Sequence, residues 1–332
     1  MMSASPLAVT LGDPAGIGPE IITDAWRRRT PETPIFVVYG DAGSLARAGA
    51  PFVRVDSPSE APGVFSRALP LLDMPLPVPV APGLPSASAA SAVAGWIAAA
   101  TEACLTGEAS GLVTAPISKA VLKSAGFRHP GHTEFIGDLT AHAPWDGERG
   151  PVMMLAAGDL RVTLATIHLP LSKVAENLTA EGVARTARVT AEALVRDFGI
   201  ARPRLAMAAL NPHGGESGEL GREEITLLGP LAEALRSEGL NITDPLPADS
   251  LFAPEIRRSY DAVVCMYHDQ ALIPIKMLDF WGGVNLTLGL PVVRTSPDHG
   301  TAFDIAGRGL ARPDSFIAAL HAAAKIAARR AS

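Results

Sequence analysis

The chain has 332 residues, is 48% hydrophobic and 19% charged, and carries a net charge of −6. That composition belongs to a globular protein with a large core and room for two domains. The acidic balance, the 5% aromatic content and the lack of any basic block exclude a nucleic-acid binder, although a local phosphate site stays open.

Apolar strand-like runs alternate with helix-like periods along the whole chain, which predicts an α/β fold with a mainly parallel sheet. Strands are expected at 7–11, 35–39, 111–114, 152–156, 162–167, 205–210 and 262–266. Helices are expected at 91–106, 181–198, 223–237 and 313–328. The last ends in Arg329-Arg330, which suits the negative end of a helix dipole. Residues 75–88, rich in Pro, Ala, Gly and Ser, read as an irregular connection. Pro130-Gly131 forces a turn between two apolar regions, and a domain break is expected there. Cys104 and Cys265 each sit in an apolar run, which excludes a disulfide scaffold and predicts two buried, inert thiols. The start lacks signal-peptide regions and no apolar run approaches the ~20 residues of a membrane span, so the expected compartment is the cytoplasm.

Five polar motifs interrupt this pattern. Gly12-Asp13-Pro14-Ala15-Gly16-Ile17-Gly18-Pro19-Glu20 follows a strand and precedes a helix. It lacks the third glycine of a dinucleotide loop and the lysine of a P-loop, so it is a tight turn or an active-site loop. His132-Thr133-Glu134 begins like a zinc deaminase signature, but the Cys pair that signature needs is absent. His132 and Thr133 are either donors to an anion or a helix cap.

His168, His213 and His268 each end a strand-like run, where ligands bind in α/β proteins. Three neutral imidazoles converging there would hold a divalent metal with a position left for substrate; three satisfied polar residues are the alternative. Asp269 and Asp249 are candidate supports for these rings. Lys276 and Arg294, placed within apolar runs, ask for an anionic partner or an internal ion pair, and Asn285 lies between them. The stretch 298–309 is glycine-spaced and longer than a plain turn, so its amides can approach a phosphate or an adenine closely.

Taken together, these motifs resemble the 4-hydroxythreonine-4-phosphate dehydrogenase family. The resemblance runs in order from Val9-Thr10-Leu11-Gly12-Asp13-Pro14 to Asp298-His299-Gly300-Thr301-Ala302 and takes in Asn211-Pro212-His213-Gly214-Gly215-Glu216. Ala115 before Pro116, Asp244 and Ser250 depart from the usual pattern without touching a ligand position.

The resemblance implies an isocitrate/isopropylmalate dehydrogenase-like α/β fold, with two α/β/α domains and a cleft between them. It suggests residues 1–128 with 275–332 as the nucleotide-side domain and 129–274 as the metal, substrate and dimerisation domain. It implies a homodimer with a shared active site, in which His168, His213 and His268 hold Zn, Co or Mg. We expect His168 from one subunit and the other two from its partner, or the converse.

His132, Thr133, Lys276, Asn285 and Arg294 would bind the phosphorylated substrate, and Asp249 and Asp269 would act as catalytic acids. His299, Gly300, Thr301, Ala302 and Asp304 would bind NAD or NADP, with Arg308 and Arg312 able to meet a 2′-phosphate. The implied reaction is oxidation of 4-hydroxy-L-threonine phosphate followed by decarboxylation, in pyridoxal phosphate biosynthesis. A D-threonate or D-erythronate 4-phosphate dehydrogenase would share these motifs, and a three-histidine metallohydrolase would share the metal site but not the 299–309 loop.

Overall fold

The computed structural model describes residues 5–129 and 131–332, so Pro130, expected to force a turn, lies outside the described residues. The chain forms two compact units, residues 5–144 with Leu290–Ser332, and Trp145–Gly289.

The first unit holds β1 (Leu7–Thr10), β2 (Phe36–Gly40), β3 (Phe52–Arg54), β4 (Leu69–Asp73) and β5 (Leu112–Thr114). The second holds β6 (Val152–Ala157), β7 (Leu160–Leu164), β8 (Leu205–Ala208), β9 (Ile242–Leu246), β10 (Ala262–Cys265) and β11 (Val284–Leu288). The chain then returns to the first unit as β12 (Arg294–Pro297).

In the first unit the strand order is β3-β4-β2-β1-β5-β12 and every pairing is parallel. All residues of β1, β2, β5 and β12 are buried. Successive strand residues point to opposite faces, so both faces of this sheet are covered. The helices Ala90–Leu105 and Asp314–Arg330 supply much of that cover, packing on β1 and β5. From β1 the chain goes to β2 on one side and comes back at β5 on the other. That reversal creates a crevice beyond the carboxyl ends of β1 and β5, where open α/β sheets place ligands.

One expectation is corrected here. Ala87–Leu105 is long and apolar enough, by length and composition, to cross a membrane. In this fold it is a core helix that buries Val93, Trp96, Ile97 and Ala100.

The second unit is mixed rather than parallel. Its order is β11-β6-β7-β10-β8-β9, with β11, β6 and β7 antiparallel and β7, β10, β8 and β9 parallel. A two-residue turn at Gly158-Asp159 joins β6 to β7, with Gly158 at the φ of 58° such a hairpin needs. The unit ends later than the sequence suggests. The helix His268–Leu278 packs on β6, β7 and β10, and β11 pairs with β6 over five residues, so both stay with this core.

Candidate active site

The first unit concentrates cations around a neutral imidazole. Arg294 opens β12 and is only 4% exposed, and its Nη2 donates to Thr114 Oγ1 at 2.8 Å at the end of β5. Burial lowers the guanidinium pKa to about 10, against the opposing pull of the Glu134 carboxylate, so it stays charged at neutral pH. His132 opens the helix His132–Leu139, and its Nε2 is shielded from solvent with no partner among the described residues. Burial, followed by the charges of Arg294 and Lys119, pushes its pKa well below the usual range, so the ring is neutral.

Thr133 follows on the same first turn, half-buried. Lys119 lies against that turn: a Cβ added to Gly131 would come within 3.2 Å of Lys119 Cε. Across β1 from Thr114, the Thr10 hydroxyl is buried without a partner. Two cations, a helix amino end and shielded polar groups make a pocket suited to an anion. Lys119 had no role in the sequence-based set; its only signal was its place after Pro116.

The two glycine-bearing loops of this unit form one assembly. Gly12 has a φ of 78°, and a Cβ there would lie 2.6 Å from Pro116 O, so no other residue fits without movement. Asp13, 3% exposed, accepts from Ala15 N at 3.0 Å, and burial raises its pKa. Ile17 N donates to Thr301 O at 3.0 Å. Glu20 then accepts from Gly307 N and Gly309 N, both at 3.0 Å.

The 12–20 loop therefore braces the 299–309 loop. Along the latter, His299 Nδ1 is 3.1 Å from Gly300 O, Gly300 is exposed, Ala302 has a φ of 44° and Asp304 faces solvent. Arg308 donates to Asp304 O at 3.2 Å, and Arg312 is paired with Asp314 at 3.1 Å.

In the second unit the three histidines follow β7, β8 and β10, which are parallel neighbours, so all three leave the same carboxyl edge. Thr166 Oγ1 donates to Met266 O at 2.6 Å, which fixes the chain before His168 to the chain before His268. The buried Gln270 amide ties the next pair. Its Oε1 accepts from Met266 N at 2.7 Å, and its Nε2 donates to Ala209 O at 2.6 Å at the end of β8.

The rings of His168 and His268 have centres 5.9 Å apart. Two imidazoles sharing a tetrahedral ion through ~2.1 Å bonds have centres roughly 5–6 Å apart, so this spacing fits a shared metal. His268 Nδ1 lies 2.7 Å from Asp269 Oδ1. With Nδ1 donating to that carboxylate, the Nε2 lone pair is left for a ligand role. Both rings line a cavity of about 480 Å³ with Ile167, Leu171 and Tyr267.

His213 stands differently. Residues His213 to Ser217 all lie in the left-handed region, with φ between 43° and 81°. Three of the five are not glycine, and each such residue costs roughly 1–2 kcal/mol. Asp249, on the short helix Ala248–Leu251, has Oδ2 4.0 Å from His213 Nδ1, and it is not the cap of that helix.

Among the described residues of one chain, no three His, Cys, Asp or Glu side chains come together as a metal set. Within one chain His168 is the ring that lies against His268, because β7 and β10 are adjacent and Thr166 binds them together. Lys276 is on the His268 helix with Nζ 5.3 Å from the Phe280 ring centre, and Asn285 lies in β11 with a buried Oδ1 that has no protein partner. Ile273, Met277, Phe280 and Trp281 expose apolar surface on and just beyond that helix.

The pyridoxal phosphate biosynthetic protein PdxA family matches residues 32–323. The 4-hydroxythreonine-4-phosphate dehydrogenase of Caulobacter vibrioides is 62% identical over 331 residues, 99% of each chain. The crystal structure of the enzyme of that name from Klebsiella pneumoniae superposes with a TM-score of 0.86 at 39% identity, covering 97% of this chain and 99% of that one. A terephthalate 1,2-cis-dihydrodiol dehydrogenase from Burkholderia xenovorans is more distant, with a TM-score of 0.61 and 31% identity over 95% of this chain and 96% of its own. A match over nearly the whole length, to a family model and to relatives well above 30% identity, makes this chain a member of the pyridoxal phosphate biosynthetic protein PdxA family.

Proposed function

We propose that the chain is an NAD(P)-dependent dehydrogenase that oxidises the secondary alcohol of 4-hydroxy-L-threonine 4-phosphate, in pyridoxal phosphate biosynthesis. The observation that carries this reading is its end-to-end identity of 62% with a dehydrogenase named for that substrate. Oxidation yields a β-keto acid. Its carboxylate leaves as CO2, the freed electron pair is protonated at carbon, and 3-amino-2-oxopropyl phosphate results.

A divalent ion, Zn, Co or Mg, held by His168, His213 and His268 would lower the pKa of a bound alcohol, and the nicotinamide would accept the hydride. The chain's own groups do the rest. Arg294 presents a charged fork to an anionic oxygen, and Lys119 adds a second charge nearby. His132, held neutral, can donate from Nε2 without competing for the fork. Thr133, Lys276 and Asn285 complete the substrate contacts. Asp269 accepts a hydrogen bond from His268 Nδ1 and so leaves the Nε2 lone pair for a ligand, and Asp249 buttresses His213. Glu20 sets the 299–309 amides, so His299, Gly300, Thr301, Ala302 and Asp304 are positioned for the dinucleotide. Arg312, already engaged with Asp314, is the weaker candidate for a 2′-phosphate.

A homodimer is part of this proposal, and two features of the second unit support it. The described residues of one chain bring no three metal-binding side chains together, and exposed Met277, Phe280 and Trp281 offer a second copy an apolar surface on the same unit. The deciding experiment is a steady-state assay of metal-defined protein with 4-hydroxythreonine phosphate, threonate 4-phosphate and erythronate 4-phosphate, each with NAD and NADP. Nicotinamide reduction with the amino acid phosphate is expected. Turnover confined to the hydroxy-acid phosphates would replace the substrate, and no reduction with any of them would end the dehydrogenase reading.

A further inference from the structure

We infer that Glu224 is a positioning residue for His213, acting through the left-handed turn rather than by touching ligand or substrate. The inference rests on the proposed ligand role of His213 and adds a residue that role does not name. Five successive left-handed residues, three of them not glycine, carry a steric cost that the turn's own short-range backbone bonds must offset, so fastening from outside the turn matters here. The largest share of that fastening comes from one buried carboxylate, which takes three of the donors at the start of the turn. Glu224, 8% exposed, accepts from Leu210 N and Asn211 N through Oε1, both at 2.8 Å. Its Oε2 accepts from Asn211 Nδ2 at 2.9 Å.

The rest of the turn is built around that group. A Cβ on Gly215 would lie 2.8 Å from Glu224 Oε2, so the turn packs directly on the carboxylate, and only glycine allows it. Glu223 takes the Asn211 amide at 2.7 Å and the Arg222 amide at 3.0 Å, and the Asn211 bond holds its pKa below the usual carboxylate range. Leu220 N closes the turn onto Gly215 O at 3.1 Å. Glu224 itself begins a widened helical turn, Glu224–Leu228, whose carbonyl bonds five residues on to Gly229. Such turns are frequent beside functional sites. The end of β8 and the turn bearing His213 are thus fixed to one side chain. Remove it and His213 keeps its chemistry but loses its place.

The test is zinc affinity of the full-length protein, by competition with a chromogenic chelator, for wild type, Glu224→Gln, His213→Ala and the double variant. Glu224→Gln keeps the size but sets an N–H against donors. We expect a rise in the zinc dissociation constant of about 10- to 100-fold, the range seen when a group that orients a ligand is removed. The double variant should bind no worse than His213→Ala alone, because Glu224 works only through that ring. Excess zinc should restore kcat in Glu224→Gln but not in His213→Ala.

A lower melting temperature with unchanged zinc affinity would reduce Glu224 to a scaffold group and overturn the inference. Should His213→Ala itself leave zinc affinity unchanged, the ligand reading falls, and amide exchange at 214–218 then decides the clamp: faster exchange in Glu224→Gln upholds it, equal exchange rejects it. Asn211→Ser, which removes the same fastening from the other side, stands in if Glu224→Gln does not fold.

Discussion

The two candidate binding regions of this chain are built on opposite plans. The cationic pocket of the first unit is dry and finished: Arg294 is 4% exposed, His132 is forced neutral, and both sit on or beside the buried strands of a fully parallel sheet. The histidine edge of the second unit is wet and unfinished: the His213 and Asp249 side chains are each 65% exposed, and among the described residues no three donors meet. The difference is instructive. Recognition of an anion needs fixed charges in a low dielectric and can be completed within one core. Histidine rings at an exposed strand edge, in a unit that also leaves Met277 and Trp281 uncovered, call for another surface to close it.

Ligand removal tests the unfinished region with the largest effect. His168→Ala, His213→Ala and His268→Ala should each lower kcat by at least about 100-fold at saturating metal, roughly 2.7 kcal/mol. A variant that keeps more than about a tenth of the wild-type rate does not carry a ligand. The finished region should respond through affinity instead. Arg294→Ala in that region, and Lys276→Ala on the His268 helix of the second unit, should raise the KM for the phosphorylated substrate, with a cost of roughly 1.5–3 kcal/mol each, and leave the KM for nucleotide nearly unchanged. Unchanged substrate KM in both variants would remove the anion-site assignment.

Much of this contrast was legible in the sequence, and the part that was not has a physical reason. β1, β2, β8 and β10 are apolar runs and fall within a residue or two of expectation. β12 reads Arg-Thr-Ser-Pro and carries no strand signal, yet all four residues are buried, because its position in the sheet is set by β5. The strand-end placement of the three histidines was readable from pattern. The closeness of the His168 and His268 rings was not, since it depends on β7 pairing with β10 across about 100 residues of chain.

Gln270, Glu224 and Glu20 escaped notice for the same reason: each acts on a backbone group distant in sequence, 287 residues away in the case of Glu20 and Gly307. The left-handed turn had a local trace in Gly214-Gly215, but nothing local showed that His213, Glu216 and Ser217 share it.

The neutral state of His132 gives the dry region a pH signature. In the unfolded chain a histidine binds a proton below about pH 6.5. In the native pocket its pKa lies well below that, so as pH falls past 6.5 the unfolded state takes up a proton that the folded state does not. Stability should therefore fall on the acid side, by up to about 1.4 kcal/mol per pH unit from this one group, until the native pKa is reached. His132→Asn, which does not titrate, should show a shallower loss between pH 6.5 and 5 in urea unfolding. Equal slopes in the two proteins would mean that the buried ring takes its proton in the native state.

The smallest expected effect bears most directly on why the histidine edge is unfinished. If His168 and His268 of one chain are completed by the partner subunit's His213, lesions on opposite sides of a site complement and lesions on the same side do not. A mixed dimer of His168→Ala and His213→Ala chains would hold one intact site and one doubly broken site. Purified through two different tags, it should recover about half the wild-type rate per dimer, a difference of only ~0.4 kcal/mol. A mixed dimer of His168→Ala and His268→Ala chains breaks each site once and should stay inactive. The 5.9 Å spacing of these two rings within one chain is what motivates that asymmetry. Activity in the second mixture and none in the first would put His213 with His168 and leave His268 to the partner, and activity in both would put His213 with His268. Activity in neither would return all three ligands to a single chain.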